Sequence, residues 1–303
     1  MKYLLISDVH ANDEALKAVI DDTTRFGGFD RVLVAGDIVG YGVEPNEVCE
    51  RLMGLDAIVV GGNHDHAANG WLHLGYMHGD AAECLRRNRA ALDERVAKWL
   101  KTAPDVYEEG QDRPLFSMVH GSPRDPADHH YIFAPAEVVE AANYMDGKGV
   151  RARVVLHGHT HVPRAWTVTP PSLWEIDESA AGKISIKNTN VQNHLSELTP
   201  VVEFNAFDPT KLTLLNPGST GQPRDQDWRS SYMLMDVNSD TGNITVTHHR
   251  VAYDWEKFVH KMLDNKYPSA MAWRLAPAEH KIPYVGPRPR LNIPKGINKK
   301  TKE

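Results

Sequence analysis

The chain has 303 residues, of which 41% are hydrophobic and 24% charged, a composition typical of a globular protein with one large domain or two small ones. Its net charge of −6 argues against nucleic acid or an anionic membrane as a partner, but allows a small phosphorylated substrate, because bound metals invert the local field. Two cysteines, Cys49 and Cys84, make no disulfide framework, and no apolar run has the length of a signal peptide or a bilayer span, so we expect a cytoplasmic protein.

The first half of the chain alternates short apolar runs with helical patterns. The apolar runs predict five buried strands, at Tyr3–Ile6, Val32–Ala35, Ala57–Val60, Leu115–Val119 and Val154–Leu156. The patterns between them predict helices from Asn12 to Gly27, from Pro45 to Met53, from Ala81 to Leu100 and from Pro135 to Tyr144. This alternation indicates an α/β core with some parallel pairing, and such sheets bind ligands beyond the carboxyl ends of their strands.

After Pro163 the pattern changes to strands without long helices between them. Strands are predicted at Val162–Thr169, Lys183–Lys187, Val201–Phe204, Leu212–Leu215, Tyr232–Val237 and Ile244–Val251, and a last helix at Asp254–Lys266. We therefore expect one domain over residues 1–265. Residues 170–200 are polar, which fits either an inserted lid or a plain hairpin, and residues 277–303 are predicted to form an extended, basic, proline-rich tail.

Polar residues able to bind metals follow each of the five predicted strands. The chain has 16 histidines, so a lone histidine indicates nothing, and only those at strand ends beside acidic or amide residues are informative. The segments concerned are Asp8-x-His10, Gly36-Asp37, Gly61-Gly62-Asn63-His64-Asp65, His120-Gly121 and Gly158-His159-Thr160-His161. Residues i and i+2 of an extended segment share a face, so His159 and His161 can reach one cluster, and a pair shifted to His157 and His159 is also conceivable.

The donor set suggests which metal it suits and how many ions it holds. Nitrogen and oxygen ligands without thiolate suit Mn²⁺, Fe or Zn²⁺, and we favour Mn²⁺. Seven ligands exceed what one ion needs, so we expect two divalent ions that share a bridging carboxylate, an arrangement suited to in-line attack at phosphorus.

These five segments, in this order, resemble the signature of the calcineurin-like metallophosphoesterases. The resemblance is close over residues 1–165 and looser through Asn216-Pro217-Gly218-Ser219 to about residue 253. It implies an α/β (α+β) fold, a four-layer αββα sandwich of two mixed sheets flanked by helices. It also implies hydrolysis of phosphodiesters or phosphomonoesters that depends on two metal ions.

The resemblance implies a role for each residue of the signature. The first metal is expected on Asp8, His10, Asp37 and His161, and the second on Asp37, Asn63, His120 and His159, with Asp37 as the bridge. A metal-bound hydroxide is the expected nucleophile, His64 the general acid for the leaving oxygen, and Asp65 the residue that orients His64.

The chain departs from the protein-phosphatase branch of this family, which carries an arginine after its second motif. Here Gly36-Asp37 is followed by Ile38-Val39-Gly40, so the sequence is more similar to the compact bacterial and archaeal phosphodiesterase-like branch. Arg124 and Arg224 lie on loops near the predicted edge, where either can clamp a phosphate oxygen or be a solvated loop residue.

Other functions stay open at this stage. They are a metal-binding regulatory or scaffold protein without turnover, a serine/threonine-type protein phosphatase, and a nuclease subunit, the last disfavoured by the acidic charge. Trp71, Trp166 and Trp174 can stack a base, although such residues more often pack in the core.

Overall fold

In the part of the chain that the structure describes, two six-stranded sheets face each other across an apolar layer. The structure is a computed structural model that describes residues 1–77, 79–110, 112–169 and 201–277, and the backbone of residues 176–177, 185–186 and 192–193. Among these residues no helix is both long and apolar enough to cross a bilayer.

The strands are, in chain order, β1 (Lys2–Ile6), β2 (Arg31–Val34), β3 (Ile58–Val59), β4 (Val106–Glu109), β5 (Phe116–Val119), β6 (Val154–Leu156), β7 (Arg164–Val168), β8 (Ile176–Asp177), β9 (Ser185–Ile186), β10 (Gln192–Asn193), β11 (Val201–Asn205), β12 (Leu212–Asn216), β13 (Ser230–Val237) and β14 (Asn243–Val251). The first sheet has the order β11-β14-β13-β1-β2-β3, and the second β10-β7-β12-β6-β5-β4. The strands β1, β2 and β3 run parallel, as do β5, β6 and β12, while the other neighbouring pairs in the two sheets are antiparallel. Both sheets are therefore mixed.

The helices lie on the outer faces of the two sheets. They are, in chain order, α1 (Asp13–Thr23), α2 (Pro45–Gly54), α3 (Asn63–Asn69), α4 (Gly79–Ala91), α5 (Glu94–Leu100), α6 (Pro135–Gly147), α7 (Trp255–Asp264) and α8 (Ser269–Trp273). Short 3₁₀ turns occur at Thr24–Phe26, Leu74–Tyr76 and Pro126–Asp128.

The layering follows from the alternation of side chains along each strand. Tyr3 and Leu5 of β1 point into the layer between the sheets, whereas Leu4 and Ile6 pack with the apolar faces of α1 and α2. In β12, Leu215 points inward and Leu214 packs in the cluster that includes α6. The order helix, sheet, sheet, helix confirms the predicted four-layer αββα sandwich.

The helical region predicted from Ala81 to Leu100 consists of two helices in the structure, α4 and α5. The side chain of Asn46, on α2, ends α4. It donates to the carbonyl of Ala91 over 2.8 Å and accepts from the N–H of Asp93 over 2.9 Å. A polar side chain that replaces the intrahelical bonds ends a helix without a proline or glycine in the helix itself.

Other differences involve short elements. The strand β4, which pairs antiparallel with β5, and the helices α3 and α8 were not predicted, and β3 is shorter than expected. Most of the possible insertion at 170–200 and nearly all of the tail at 277–303 lie outside the described residues, and the single domain over residues 1–265 stays a prediction.

Candidate metal centre

The segments that follow β1, β2, β3, β5 and β6 bring their polar side chains to one edge of the sandwich. Two buried groups of side chains have ligand atoms within 4.8 Å of one another: a first cluster of Asp8, His10, Asp37 and His161, and a second cluster of Asp37, His120 and His159. Asp37 belongs to both clusters, and every member is buried.

The backbone of these segments is in the left-handed region, which is uncommon for residues with side chains. The φ angles are +52° at Asp8, +51° at His10, +54° at Asp37, +67° at His159 and +60° at His161. Hydrogen bonds hold the loops together, with Asp8 N donating to Gly36 O over 3.0 Å and His10 N to Asp37 O over 3.1 Å. Such strain concentrates at functional sites, where the surrounding structure maintains it.

Two glycines of the signature allow close packing around the carboxylates. A Cβ at Gly62 would overlap Asp37 Oδ1, and a Cβ at Gly158 would overlap Ser7 Oγ. The glycines are therefore needed because the carboxylates of Asp8 and Asp37 lie against the backbone.

Three of the histidines have one ring nitrogen near a backbone carbonyl and the other directed at the centre. The distances are 3.0 Å from His10 Nδ1 to Val39 O, 2.8 Å from His120 Nδ1 to Ala35 O and 2.6 Å from His161 Nδ1 to Gln222 O. A hydrogen bond from Nδ1–H to the carbonyl leaves Nε2 with a lone pair, the tautomer that a metal-ligating histidine adopts.

The nitrogens directed at the centre lie close to one another. His10 Nε2 is 3.1 Å from His161 Nε2, and His120 Nε2 is 3.0 Å from His159 Nδ1. In their neutral forms His10 and His161 each direct an Nε2 lone pair at the other, and a cation that accepts both lone pairs removes the repulsion between them. The donor set therefore fits a metal ion in each cluster.

Asp8 and Asp37 each have a carboxylate oxygen that is available to a metal ion. Asp8 Oδ2 accepts from Ser7 Oγ over 2.7 Å and from His159 N over 3.0 Å, while Asp8 Oδ1 has no hydrogen bond among the described residues. Asp37 Oδ2 is 3.7 Å from His10 Nε2 and 3.3 Å from His120 Nε2. It thus lies between the histidines of the two clusters, where a bridging oxygen would be.

The pKa values agree with a centre that binds cations. Burial lowers the pKa of His10, His159 and His161, which favours the neutral form that binds metals. Burial also lowers the pKa of His120, but the Asp37 carboxylate outweighs this effect and raises it to about 9. Burial raises the pKa of Asp37, and the neighbouring His120 and His64 outweigh this and hold it well below its usual value.

The structure also shows where Asn63 and His157 lie relative to the two clusters. Asn63 Oδ1 lies 3.2 Å from His120 Nε2, beside the second cluster. His157 is outside both clusters, and its Nδ1 is 3.3 Å from Asn216 Nδ2. The structure thus brings the pair His159 and His161 to the centre, and not the shifted pair.

His64 lies beside the first cluster, as a residue that acts on the substrate there would. Its ring centroid is 4.8 Å from that of His10 and 4.6 Å from that of Tyr41. Its Nδ1 has no hydrogen-bond partner in the described part of the chain. Burial lowers the pKa of His64 to about 4, with the Asp37 carboxylate acting in the opposite direction.

Asp65 does not make the contact expected from the sequence. Its carboxylate accepts hydrogen bonds from three backbone N–H groups, those of Ile38 (3.2 Å), Val39 (3.0 Å) and Gly62 (3.0 Å), and within the described residues no hydrogen bond joins it to the His64 ring. Burial and then the Asp37 charge raise the pKa of Asp65 to about 7, against these hydrogen bonds. The structure therefore shows no orienting hydrogen bond between Asp65 and His64 among the described residues, and Asp65 instead ties the loop after Asp37 to the start of α3.

Replacing Asp65 by asparagine should lower the free energy of unfolding by about 2 kcal/mol, because an amide –NH₂ would face backbone donors that need an acceptor. Chemical denaturation measures this difference, and Asp240→Asn, at an exposed position, is the matched control. Unchanged stability in the Asp65 variant would mean that these three hydrogen bonds are unimportant for the fold.

The two arginines named from the sequence lie in different surroundings. Arg224 Nη2 is 3.3 Å from both Tyr41 Oη and Gln222 Oε1, and its charge lowers the pKa of His10, His64 and His161, which places it beside the first cluster. The exposed Arg124 forms an ion pair of 3.0 Å with Glu140 on α6.

Several aromatic residues of the site were not identified from the sequence. The Tyr131 ring stacks on His159 with centroids 3.9 Å apart, and the His129 ring lies 5.4 Å from that of His120. His129 Nε2 is also 3.3 Å from His66 Nδ1. His129 and Tyr131 come from a loop before α6 rather than from a strand end, so the pattern that identified the other residues does not include them.

Comparison with known proteins adds an independent observation. The family description "calcineurin-like phosphoesterase superfamily domain" matches residues 1–240. An uncharacterized protein of Methanocaldococcus jannaschii is 30% identical over 271 residues, which are 89% of this chain and 96% of that protein. The crystal structure of a metallophosphoesterase from Sphaerobacter thermophilus is similar with 30% identity and a TM-score of 0.66, covering 91% of this chain and 98% of that one. A hypothetical protein of Pyrococcus horikoshii OT3 (16% identity, TM-score 0.64, 90% and 97% covered) shares the fold.

Proposed function

Because this chain belongs to the calcineurin-like phosphoesterase superfamily, we propose that it hydrolyses phosphoester bonds of a small substrate with the help of two divalent metal ions. The observation that carries the proposal is the position of Asp37 Oδ2 between the histidines of the two buried clusters. A carboxylate in that position suits the bridge of a two-metal site.

In this proposal each cluster holds one ion. The first would bind to Asp8, His10, Asp37 and His161, and the second to Asp37, Asn63, His120 and His159. Manganese is favoured for both, in keeping with nitrogen and oxygen donors. When bound, such ions activate water near neutral pH and neutralise charge on a phosphoryl oxygen.

The side chains around the clusters would do the rest of the chemistry. In the hydrolysis a water oxygen bonds to phosphorus and gives up a proton to solvent, the P–O ester bond breaks, and the leaving oxygen takes a proton. We assign that proton to His64, whose unpartnered Nδ1 and position against His10 support the assignment. Burial lowers the pKa of His64, so a protonated His64 ring gives up its proton readily.

Arg224 is our candidate for holding a phosphate oxygen. The guanidinium is exposed, and the hydroxyl of Tyr41 and the side-chain carbonyl of Gln222 hold it beside the first cluster. It would replace, from another direction, the arginine that is missing after Asp37.

Removal of metal is the direct test of the proposal. Stripping the protein with a chelator should abolish hydrolysis of nitrophenyl phosphoesters. It should also lower the Tm by about 10 °C, because the folded state loses bound ions whose Kd lies well below the free metal concentration. Adding Mn²⁺ should restore both, measured by absorbance and by differential scanning calorimetry.

Two outcomes would contradict the proposal in different ways. Full activity in protein whose metal removal is verified by elemental analysis would exclude the metal-dependent mechanism. Recovery of the Tm with Mn²⁺, but no hydrolysis of any monoester or diester in a broad panel, would instead support a metal-binding protein without turnover.

A further inference from the structure

Two aromatic side chains outside the clusters form an exposed surface next to them, which we call the aromatic shelf (Tyr131 and Phe133). Their side chains are 43% and 49% exposed, and their rings stack with centroids 4.9 Å apart and planes at 19°. Ile132, between them, is buried in the apolar cluster under α6. Ile132 therefore anchors the chain while the rings on either side of it are exposed.

The segment that carries the shelf is held firmly to the end of β5. Ser122 N donates to His130 O over 2.9 Å. Gly121 lies so close to the backbone of His129 that an added Cβ would be 2.8 Å from its Cα. The shelf is therefore set in place by backbone contacts of the same loop that follows the second cluster's His120.

The shelf begins at the metal centre and extends away from it. The Tyr131 ring stacks on the ring of His159 at 3.9 Å and 16°, and Phe133 continues the stack outward. A flat apolar surface thus lies beside the proposed metal centre.

From this arrangement we propose that the shelf binds the base of a nucleoside whose phosphate occupies the metal centre, which makes a nucleotide ester the substrate class. The inference rests on the proposed function for the position of the phosphate. Stacked rings exposed to water lose little by accepting a planar base, and base–aromatic stacking contributes about 1–3 kcal/mol per base. The sugar would then span the distance between the aromatic shelf and the phosphate.

The tryptophans considered from the sequence are less suited to this role. Trp166 is buried under the second sheet, and Trp71, though 62% exposed, lies against His66 rather than against a residue of either cluster. Trp174 lies outside the described residues.

The test compares two ligands that differ only by the base. They are the phosphonate analogues of adenosine 5′-monophosphate and ribose 5-phosphate, in which carbon replaces the ester oxygen so that neither is hydrolysed. Isothermal titration of the Mn²⁺-loaded full chain should give a Kd about 10-fold or more lower for the adenosine compound, the ratio expected from stacking.

Variants of the aromatic shelf test whether it causes this difference between the two Kd values. Phe133→Ala should reduce the ratio of the two Kd values to near 1, and Phe133→Tyr, which keeps a flat ring, should preserve it. Phe26→Ala is the matched control, because Phe26 is also a partly exposed ring (39%) but lies near Lys2, at the opposite end of β1 from Asp8.

The outcomes separate this inference from the proposed function. Equal affinities for the two ligands, no measurable binding of either, or a ratio that Phe133→Ala leaves unchanged would overturn the shelf. Hydrolysis of bis(p-nitrophenyl) phosphate, measured separately with Mn²⁺, would then still support the phosphoesterase. Base-dependent binding without any turnover would instead sustain the shelf and reject the hydrolysis.

Discussion

Asp37→Asn should reduce turnover by on the order of 10³-fold or more, which corresponds to the loss of several kcal/mol of transition-state stabilisation. The reason is the position of Asp37 Oδ2 between His10 and His120, because a neutral amide oxygen there would weaken both proposed sites together. Bound metal should fall from two equivalents to one or less. Elemental analysis of the purified variant and kcat/KM on a nitrophenyl ester measure the two effects.

A second carboxylate provides the matched control for this prediction. Asp8 belongs only to the first cluster, so Asp8→Asn should keep one equivalent of metal on the second. Two tightly bound equivalents in Asp37→Asn would show that the bridge is elsewhere, and identical losses in the two variants would show that the two clusters do not act as separate sites.

His64→Ala should keep its metal ions and lose activity in a manner that depends on the leaving group. An alkoxide needs a proton as it departs and a nitrophenolate scarcely does, and general acid catalysis contributes about 10²–10⁴-fold. The loss in kcat/KM should therefore be about 10²-fold or more larger on alkyl or nucleoside esters than on nitrophenyl esters. Steady-state kinetics on the two ester types, with metal content measured in parallel, provide the comparison.

The structure offers a control for this variant as well. His260 is an exposed histidine on α7, so His260→Ala should change neither ester. Equal losses on both esters in His64→Ala would reduce His64 to a positioning residue. Loss of metal would make it a ligand, in contrast to its place outside both clusters.

The strand-end residues were predictable because each follows a buried apolar run. Val32–Ala35 indicates a strand from its side chains alone, and the residue after Gly36 must then lie at the sheet edge where Asp8 also lies. Hydrogen bonds to backbone groups cannot be identified from such a sequence pattern. Nothing in the sequence indicates that Asp65 accepts from the N–H groups of Ile38 and Val39 instead of facing His64.

Contacts between segments that are distant in the chain were also not predictable from the sequence. Asn46 ends α4 from another helix, and Tyr131 reaches His159 from a loop whose course depends on how Ile132 packs. Local propensity describes the residues within one segment, and both of these contacts are made between segments.

The pairing of β1 with β13 has a consequence for the order in which this protein is made. The strand that carries Asp8 and His10 into the site lies between β2, close behind it in the chain, and β13, at residues 230–237. A nascent chain emerging from the ribosome has all five signature segments by residue 161, yet one side of β1 then still lacks its neighbour. Segments Ser219 to Gln222, which bond to Asp8 O and to the His161 ring, also come later. The candidate metal centre is thus completed only after some 60 further residues have followed its last proposed ligand, on the order of several seconds of synthesis.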